Sequence, residues 1–224
     1  MLNRFGIEIE FLDELTIFIK GNQHYTPTDY YVEGDFSQLG FFAVLGAINN
    51  NLTCKGLNTK SKQGDKEIVD ILKKCHIDVE TLENGYRFFN GIPQSYNINL
   101  ENCPDLGPIL TVLSAYGNGS FKIYNAHRLR YKESDRIEAM EVELKKLGVD
   151  INSDQDSIYI TGKRNYTSCN EVFGHKDHRV VMSLAIFATM LDKPLIIDGA
   201  EAISKSYPNF FEDLKKLNIK LEIF

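Results

Sequence analysis

The chain has 224 residues, a hydrophobic share of 43%, a charged share of 25% and a net charge of −6. This is ordinary globular composition, enough for one large domain or two small ones. It excludes a bilayer-spanning run of about 18 apolar residues, a secretory leader at the first residues and a generally basic nucleic-acid surface, so any anion site must be a local cluster of cations.

Residues 5–10 and 15–21 read as two short strands of a hairpin, followed by the polar stretch 22–29, which predicts a boundary near Pro27. A helix is then expected from Asp35 to Ile48, a strand over 53–56, an amphipathic helix ending in Ile71–Asp78, and strands over 78–81 and 86–89. The same order returns from Asp105: a helix to Tyr116, a strand over 121–124, a helix to Leu147, and strands over 149–152 and 157–161. It begins a third time at Asp177, with a helix to Leu191, a strand over 195–197, a last helix ending near Leu217 and a strand over 219–223. The leading aspartates stand 70 and 72 residues apart (35 to 105, 105 to 177). The second-helix ends repeat too: Ile71-Leu72-Lys73-Lys74, Glu143-Leu144-Lys145-Lys146 and Asp213-Leu214-Lys215-Lys216.

A repeat of this length is too long for a solenoid and suggests a few βα subunits about a pseudo-axis. The hairpin matches 147–162, the tail of such a unit, and the third unit stops one strand short. Both ends are therefore expected to be truncated, with an unfinished sheet edge at the third repeat. The four cysteines, Cys54, Cys75, Cys103 and Cys169, stand singly without a C-x-x-C pair. They read as reduced thiols in a cytoplasmic protein, not as a disulfide framework or a zinc site.

The unusual charges sit at helix starts. Arg128 to Arg136 opens one helix, Asp177-His178-Arg179 another, and Lys205-Ser206-Tyr207-Pro208 leads into the last. Cations there oppose the macrodipole, but with helix N-termini they make phosphate or carboxylate sites. Each element also has a plain structural reading. Asp35, Asp105 and Asp177, like Ser134 and Asp135, suit N-caps. Arg136 or Arg179 alone could pair with a surface carboxylate, and His178 could be a satisfied polar contact. Several cations at successive helix starts favour one shared anion site.

The stretch Leu129-Arg130-Tyr131-Lys132-Glu133-Ser134-Asp135-Arg136 resembles the L-R-x-K-E-S-D-R signature of the 5-enolpyruvylshikimate-3-phosphate synthases. Asp177-His178-Arg179 with Met182 is similar to that family's D-H-R-x-x-M, and Lys205 to Phe211 to its K-S-[FY]-P-x-F-[FW]. Val32-Glu33-Gly34-Asp35, Gln63-Gly64-Asp65 and Pro104-Asp105-Leu106-Gly107-Pro108 match further landmarks, in order, from about residue 5 to 224.

The resemblance implies an α/β fold, an enolpyruvyl transferase-like domain of three βαβαββ repeats about a pseudo-threefold axis, with the third repeat incomplete. Residues 1–27 would be a terminal hairpin and linker from the preceding, N-terminal domain, and residues 28–224 the C-terminal enolpyruvyl transferase domain. The implied reaction moves the enolpyruvyl group of phosphoenolpyruvate to the 5-hydroxyl of shikimate 3-phosphate, by addition and elimination, with release of phosphate. Asp105 then corresponds to the proton acceptor and a substrate-hydroxyl contact, and Glu133 to the proton donor. Lys132 lies beside the shikimate hydroxyls, and Arg136, Arg179 and Lys205 hold phosphoenolpyruvate. Arg128 stands where some members have an asparagine that contacts shikimate, and that contact is not carried over. No metal or organic cofactor, no nucleic acid and no membrane is implied. The partner is the N-terminal domain of the same enzyme, without which the fragment is expected to be inactive. Two alternatives stay open: a UDP-N-acetylglucosamine enolpyruvyl transferase fragment, and a non-catalytic anion-binding module. The K-E-S-D-R and D-H-R motifs speak against the first, and the retained pair Asp105 and Glu133 against the second.

Overall fold

The computed structural model describes residues 1–167 and 171–224, so Cys169 lies outside the described residues. Two compact units divide the chain, Met1–Glu33 and Gly34–Phe224. In the first, β1 (Ile9–Phe11) pairs antiparallel with β2 (Ile17–Ile19), with Glu10 opposite Phe18. Every residue of β2 is exposed.

In the second unit, α1 (Phe36–Ile48) is apolar on nearly every face, and ten of its thirteen residues are buried. A helix hydrophobic all round must lie inside the core. The same holds for α3 (Gly107–Ala115), buried throughout, and α5 (His178–Ala188), and these three helices pack on one another. By contrast α2 (Glu67–Lys74), α4 (Arg136–Lys146) and α6 (Phe210–Lys216) bury one side and end in paired lysines. Lysines in a last turn complement the helix dipole.

The strands follow the expected alternation. β3 (Leu52–Lys55), β4 (Val79–Leu82) and β5 (Gly85–Phe88) form an antiparallel sheet in the order β3-β5-β4. A second sheet, in the order β6-β7-β9-β8, joins β6 (Asn97–Asn99), β7 (Gly119–Tyr124), β8 (Asp150–Ser153) and β9 (Ile158–Gly162). Here β6 runs parallel to β7, with Ile98 opposite Ile123, and β9 pairs antiparallel with both β7 and β8. The third sheet holds β10 (Glu171–Phe173) and β11 (Ile196–Asp198), which are parallel. From residue 97 to 162 the order is therefore strand, helix, strand, helix, strand, strand.

Two features differ from the sequence reading. β6 and β10, three residues each, were not anticipated, because runs so short carry no readable periodicity. The strand expected over 219–223 is not formed. A strand exists only through its hydrogen-bonded ladder, and no described strand pairs with this stretch. Ile219 and Leu221 instead pack, partly buried, against the core.

Candidate active site

The starts of α3, α4 and α5 converge. Asp177 caps α5 by accepting a hydrogen bond from Arg179 N at 2.8 Å. Asp135 caps α4, accepting from Ile137 N at 3.1 Å and Glu138 N at 3.0 Å. Asp35 caps α1 through Ser37 N at 2.7 Å. Asp105 departs from this pattern. It lies inside a 3-10 turn, Pro104–Leu106, ahead of α3, and makes no cap. Its carboxylate is turned to cations instead: Oδ1 lies 3.0 Å from Lys132 Nζ and 2.9 Å from Arg136 Nη1, and Oδ2 lies 3.7 Å from Arg179 Nη2.

Arg136 is the hub, with its side chain only 1% exposed. Its Nε donates to Asp177 Oδ2 at 2.8 Å and its Nη2 to Asp177 Oδ1 at 3.2 Å. Nη1 donates to Asp105, and Nη2 also reaches Glu133 Oε2 at 2.7 Å. The planar fork of donors lets one guanidinium meet three carboxylates at once. The Ser134 hydroxyl completes the buried end by donating to Asp177 Oδ2 at 3.0 Å. At the open end Lys205 Nζ lies 2.7 Å from Glu133 Oε1, with its side chain 57% exposed.

All six residues singled out in the sequence, Asp105, Lys132, Glu133, Arg136, Arg179 and Lys205, thus share one ion-pair network with Asp177. Four cations meet three carboxylates there, a local excess of one positive charge on a chain of net charge −6. Arg179 is the least satisfied member. Its Nε and Nη1 are buried with no hydrogen-bond partner among the described residues, and its guanidinium lies 5.8 Å from the centre of the Phe41 ring. A buried donor left unpaired costs about 1–3 kcal/mol, so these groups form a preorganised demand for an acceptor.

Burial pushes the Asp105 carboxyl up, but Lys132, Arg179 and Arg136 more than reverse this and hold it below the usual range. Burial also raises Glu133. Lys205, the backbone N–H of Glu133 itself and Arg136 outweigh that and bring it down to about 2. His178 moves down as well, first by burial and then by the neighbouring Arg179. Its Nδ1 is buried, has no hydrogen-bond partner among the described residues and lies 4.0 Å from Asp177 Oδ1.

Sequence reading gave Asp177 no role beyond a cap; its grip on Arg136 is invisible until α4 and α5 are packed. Asp65, noted only as part of a landmark, accepts a hydrogen bond from the Ser37 hydroxyl. Burial raises its carboxyl, with the Asp105 charge adding to the rise. Gly64 makes this approach feasible, since a Cβ there would sit 2.1 Å from Asn102 O, next to the turn that bears Asp105. Arg128 lies outside the network and reaches Glu101 O at 3.5 Å. Among the described residues no group of three or more metal-ligating side chains is assembled. Among the described residues no helix is long and apolar enough to cross a membrane.

Comparison with known proteins agrees with this architecture. Over 219 residues the chain is 47% identical to a 3-phosphoshikimate 1-carboxyvinyltransferase of Clostridium acetobutylicum, covering 97% of this chain and 50% of the relative. It is 41% identical over 222 residues to the protein of that name from Clostridium kluyveri, covering 99% of this chain and 52% of the relative. A solved EPSP synthase from Acinetobacter baumannii superposes with a TM-score of 0.84 at 25% identity, covering 96% of this chain and 52% of that one. The enolpyruvyl transferase NikO from Streptomyces tendae, 19% identical, shares the fold with a TM-score of 0.77. The chain spans about half the length of the curated relatives it matches. The family model of EPSP synthase (3-phosphoshikimate 1-carboxyvinyltransferase) matches residues 1–214, and with this match the chain belongs to that family.

Proposed function

We propose that this chain is the donor-binding half of an enzyme that transfers the enolpyruvyl group of phosphoenolpyruvate to the 5-hydroxyl of shikimate 3-phosphate and releases phosphate. The observation that carries the reading is Arg179, with two buried nitrogens that have no hydrogen-bond partner among the described residues, in a network with Arg136, Lys132 and Lys205. Guanidinium groups bind carboxylate and phosphate through two parallel hydrogen bonds. Arg136, Arg179 and Lys205 are assigned to phosphoenolpyruvate, and Lys132 to the shikimate hydroxyls. Asp105 accepts the proton of the attacking hydroxyl and Glu133 delivers one to the methylene carbon, an acid and base pair placed on the two sides of Arg136.

Residues 1–27 are assigned to the end of a preceding domain and 28–224 to the C-terminal domain. The N-terminal domain of the same enzyme is the partner that supplies the remaining shikimate 3-phosphate contacts. A cytoplasmic setting is in keeping with the free thiols of Cys54, Cys75 and Cys103. Positioning of two reactants is worth about 7–11 kcal/mol of barrier, so the chain alone should release no phosphate from the substrate pair. Titration with phosphoenolpyruvate tests the donor site directly. At millimolar ligand it should shift the side-chain NMR signals of Arg136 and Arg179, less so at high salt because exposed charges are screened. Unmoved signals would overturn the assignment.

A further inference from the structure

Glu133 poses a problem for a proton donor. Its Oε1 accepts from Lys205 at 2.7 Å and its Oε2 from Arg136 at 2.7 Å. Each oxygen keeps a second lone pair that could take a proton, but a cation at 2.7 Å on each oxygen strongly favours the ionised form. Glu133 becomes a ready acid once one of the two cations leaves. Arg136 is buried and held by Asp105 and Asp177 as well. Lys205 is more than half exposed, ends a short 3-10 turn, Ala200–Lys205, and enters the network through a single ion pair.

We propose that Lys205 is a positioning residue for the proton of Glu133: in the free site it holds the carboxylate ionised, and an arriving anion draws it off so that Glu133 takes up a proton from solvent. This rests on the donor-site reading above. The balance is simple. Lys205 remains an ammonium and exchanges a carboxylate for the anion of the ligand. One proton moves from solvent to Glu133 Oε1, and the site gains one positive charge opposite the negative charge brought in. Every charged or titratable group that bears on Glu133 agrees with this direction. Arg136 from α4 keeps Oε2, and Lys205 from the 200–205 turn releases Oε1. His178 at the start of α5 is held toward its neutral form by burial and by Arg179, and so does not replace the lost cation. Asp105 faces Lys132, Arg136 and Arg179, and Asp177 faces Arg136, so both carboxylates bear on Glu133 through the cations they share. The donor is thus loaded by its substrate, and an empty site carries no acid to spend on water.

The test is carboxyl-carbon NMR of Glu133 in this chain at about pH 4.5, with and without saturating phosphoenolpyruvate. From a free value of about 2, a rise to the ordinary glutamate value of about 4.3 increases the protonated fraction about a hundredfold. In Lys205→Met the free chain should already show the raised protonation, and ligand should add no further change. The Arg136 and Arg179 signals report in both proteins whether ligand has bound, so a Glu133 signal that follows bound ligand in the native chain but not in Lys205→Met reads proton control, whereas a merely structural contact would leave native Glu133 unmoved by ligand. If phosphoenolpyruvate shifts Arg136 and Arg179 while Glu133 stays ionised in the native chain, the inference fails and the donor site stands. If Arg136 and Arg179 do not respond to ligand at all, the donor site itself is refuted and the inference with it.

Discussion

Replacing Asp177 by alanine should be among the most damaging single changes in the second unit. Asp177 is fully buried, caps α5 and accepts three side-chain hydrogen bonds, two from Arg136 and one from Ser134. Loss of a helix cap costs about 1 kcal/mol. Breaking a buried ion pair from one side costs about 3–5 kcal/mol, because the abandoned charge stays buried. Arg136 retains Asp105 and Glu133, which places the ion-pair loss at the low end of that range. The cap and the pair share one carboxylate and do not simply add, so about 3–4 kcal/mol, with the simple sum as the upper limit, is expected for Asp177→Ala. Asp177→Asn keeps an acceptor for the cap but loses the charge, and should cost about half as much. Urea denaturation measures both. The decisive partner is Arg136→Met. It strands neither other carboxylate, because Asp105 keeps Lys132 and Glu133 keeps Lys205. In the double variant Asp177→Ala/Arg136→Met no buried charge is abandoned, and the loss should be at least about 1.5 kcal/mol smaller than the sum of the two single losses. Additive losses, or an Asp177→Ala cost under about 1 kcal/mol, would show that this pair does not hold α4 to α5.

Other perturbations probe the surroundings of the network. Lys176 has φ of +54°, next to His175 at +53°, just before the cap of α5. Lys176→Gly should therefore stabilise the chain by about 1 kcal/mol in the same denaturation assay, since glycine adopts this region without a Cβ clash. Gly64→Ala should do the reverse, costing about 2 kcal/mol or more and weakening phosphoenolpyruvate binding, because its Cβ would displace the Asn102 backbone beside Asp105. Stability should fall steadily with acid. His178 is depressed in the folded state, so its contribution fades below its unfolded value of about 6.5. Glu133 and Asp105 are depressed too, and theirs is lost as pH drops below about 4 and on through the folded value of about 2 for Glu133. Asp65 runs the other way, being raised by burial, so Asp65→Asn should steepen the acid loss in thermal melts just above the ordinary aspartate value of about 3.9.

Much of this was legible in the chain itself, because the determining signals are local. Apolar runs from Phe36, Gly107 and His178 can only be interior helices, and the lysine-ended amphipathic stretches can only lie outside them. The charged helix starts predicted a shared cluster of cations before any contact was known, and the signature around Lys132 and Glu133 named its family. Other features belong to tertiary structure alone. β6 and β10 are three residues long and become strands only through parallel partners far along the chain. The segment 219–223 has a strand's composition but no ladder to join. Asp35, Asp105 and Asp177 occupy equivalent places and look alike in sequence. Packing turns Asp35 to its own helix, Asp105 to Lys132 and Arg136, and Asp177 to both tasks at once. Local pattern specifies which residues are inside and where helices begin. Which charge meets which depends on side chains separated by 28 to 72 positions being brought within hydrogen-bond reach, and only the packed helices decide that.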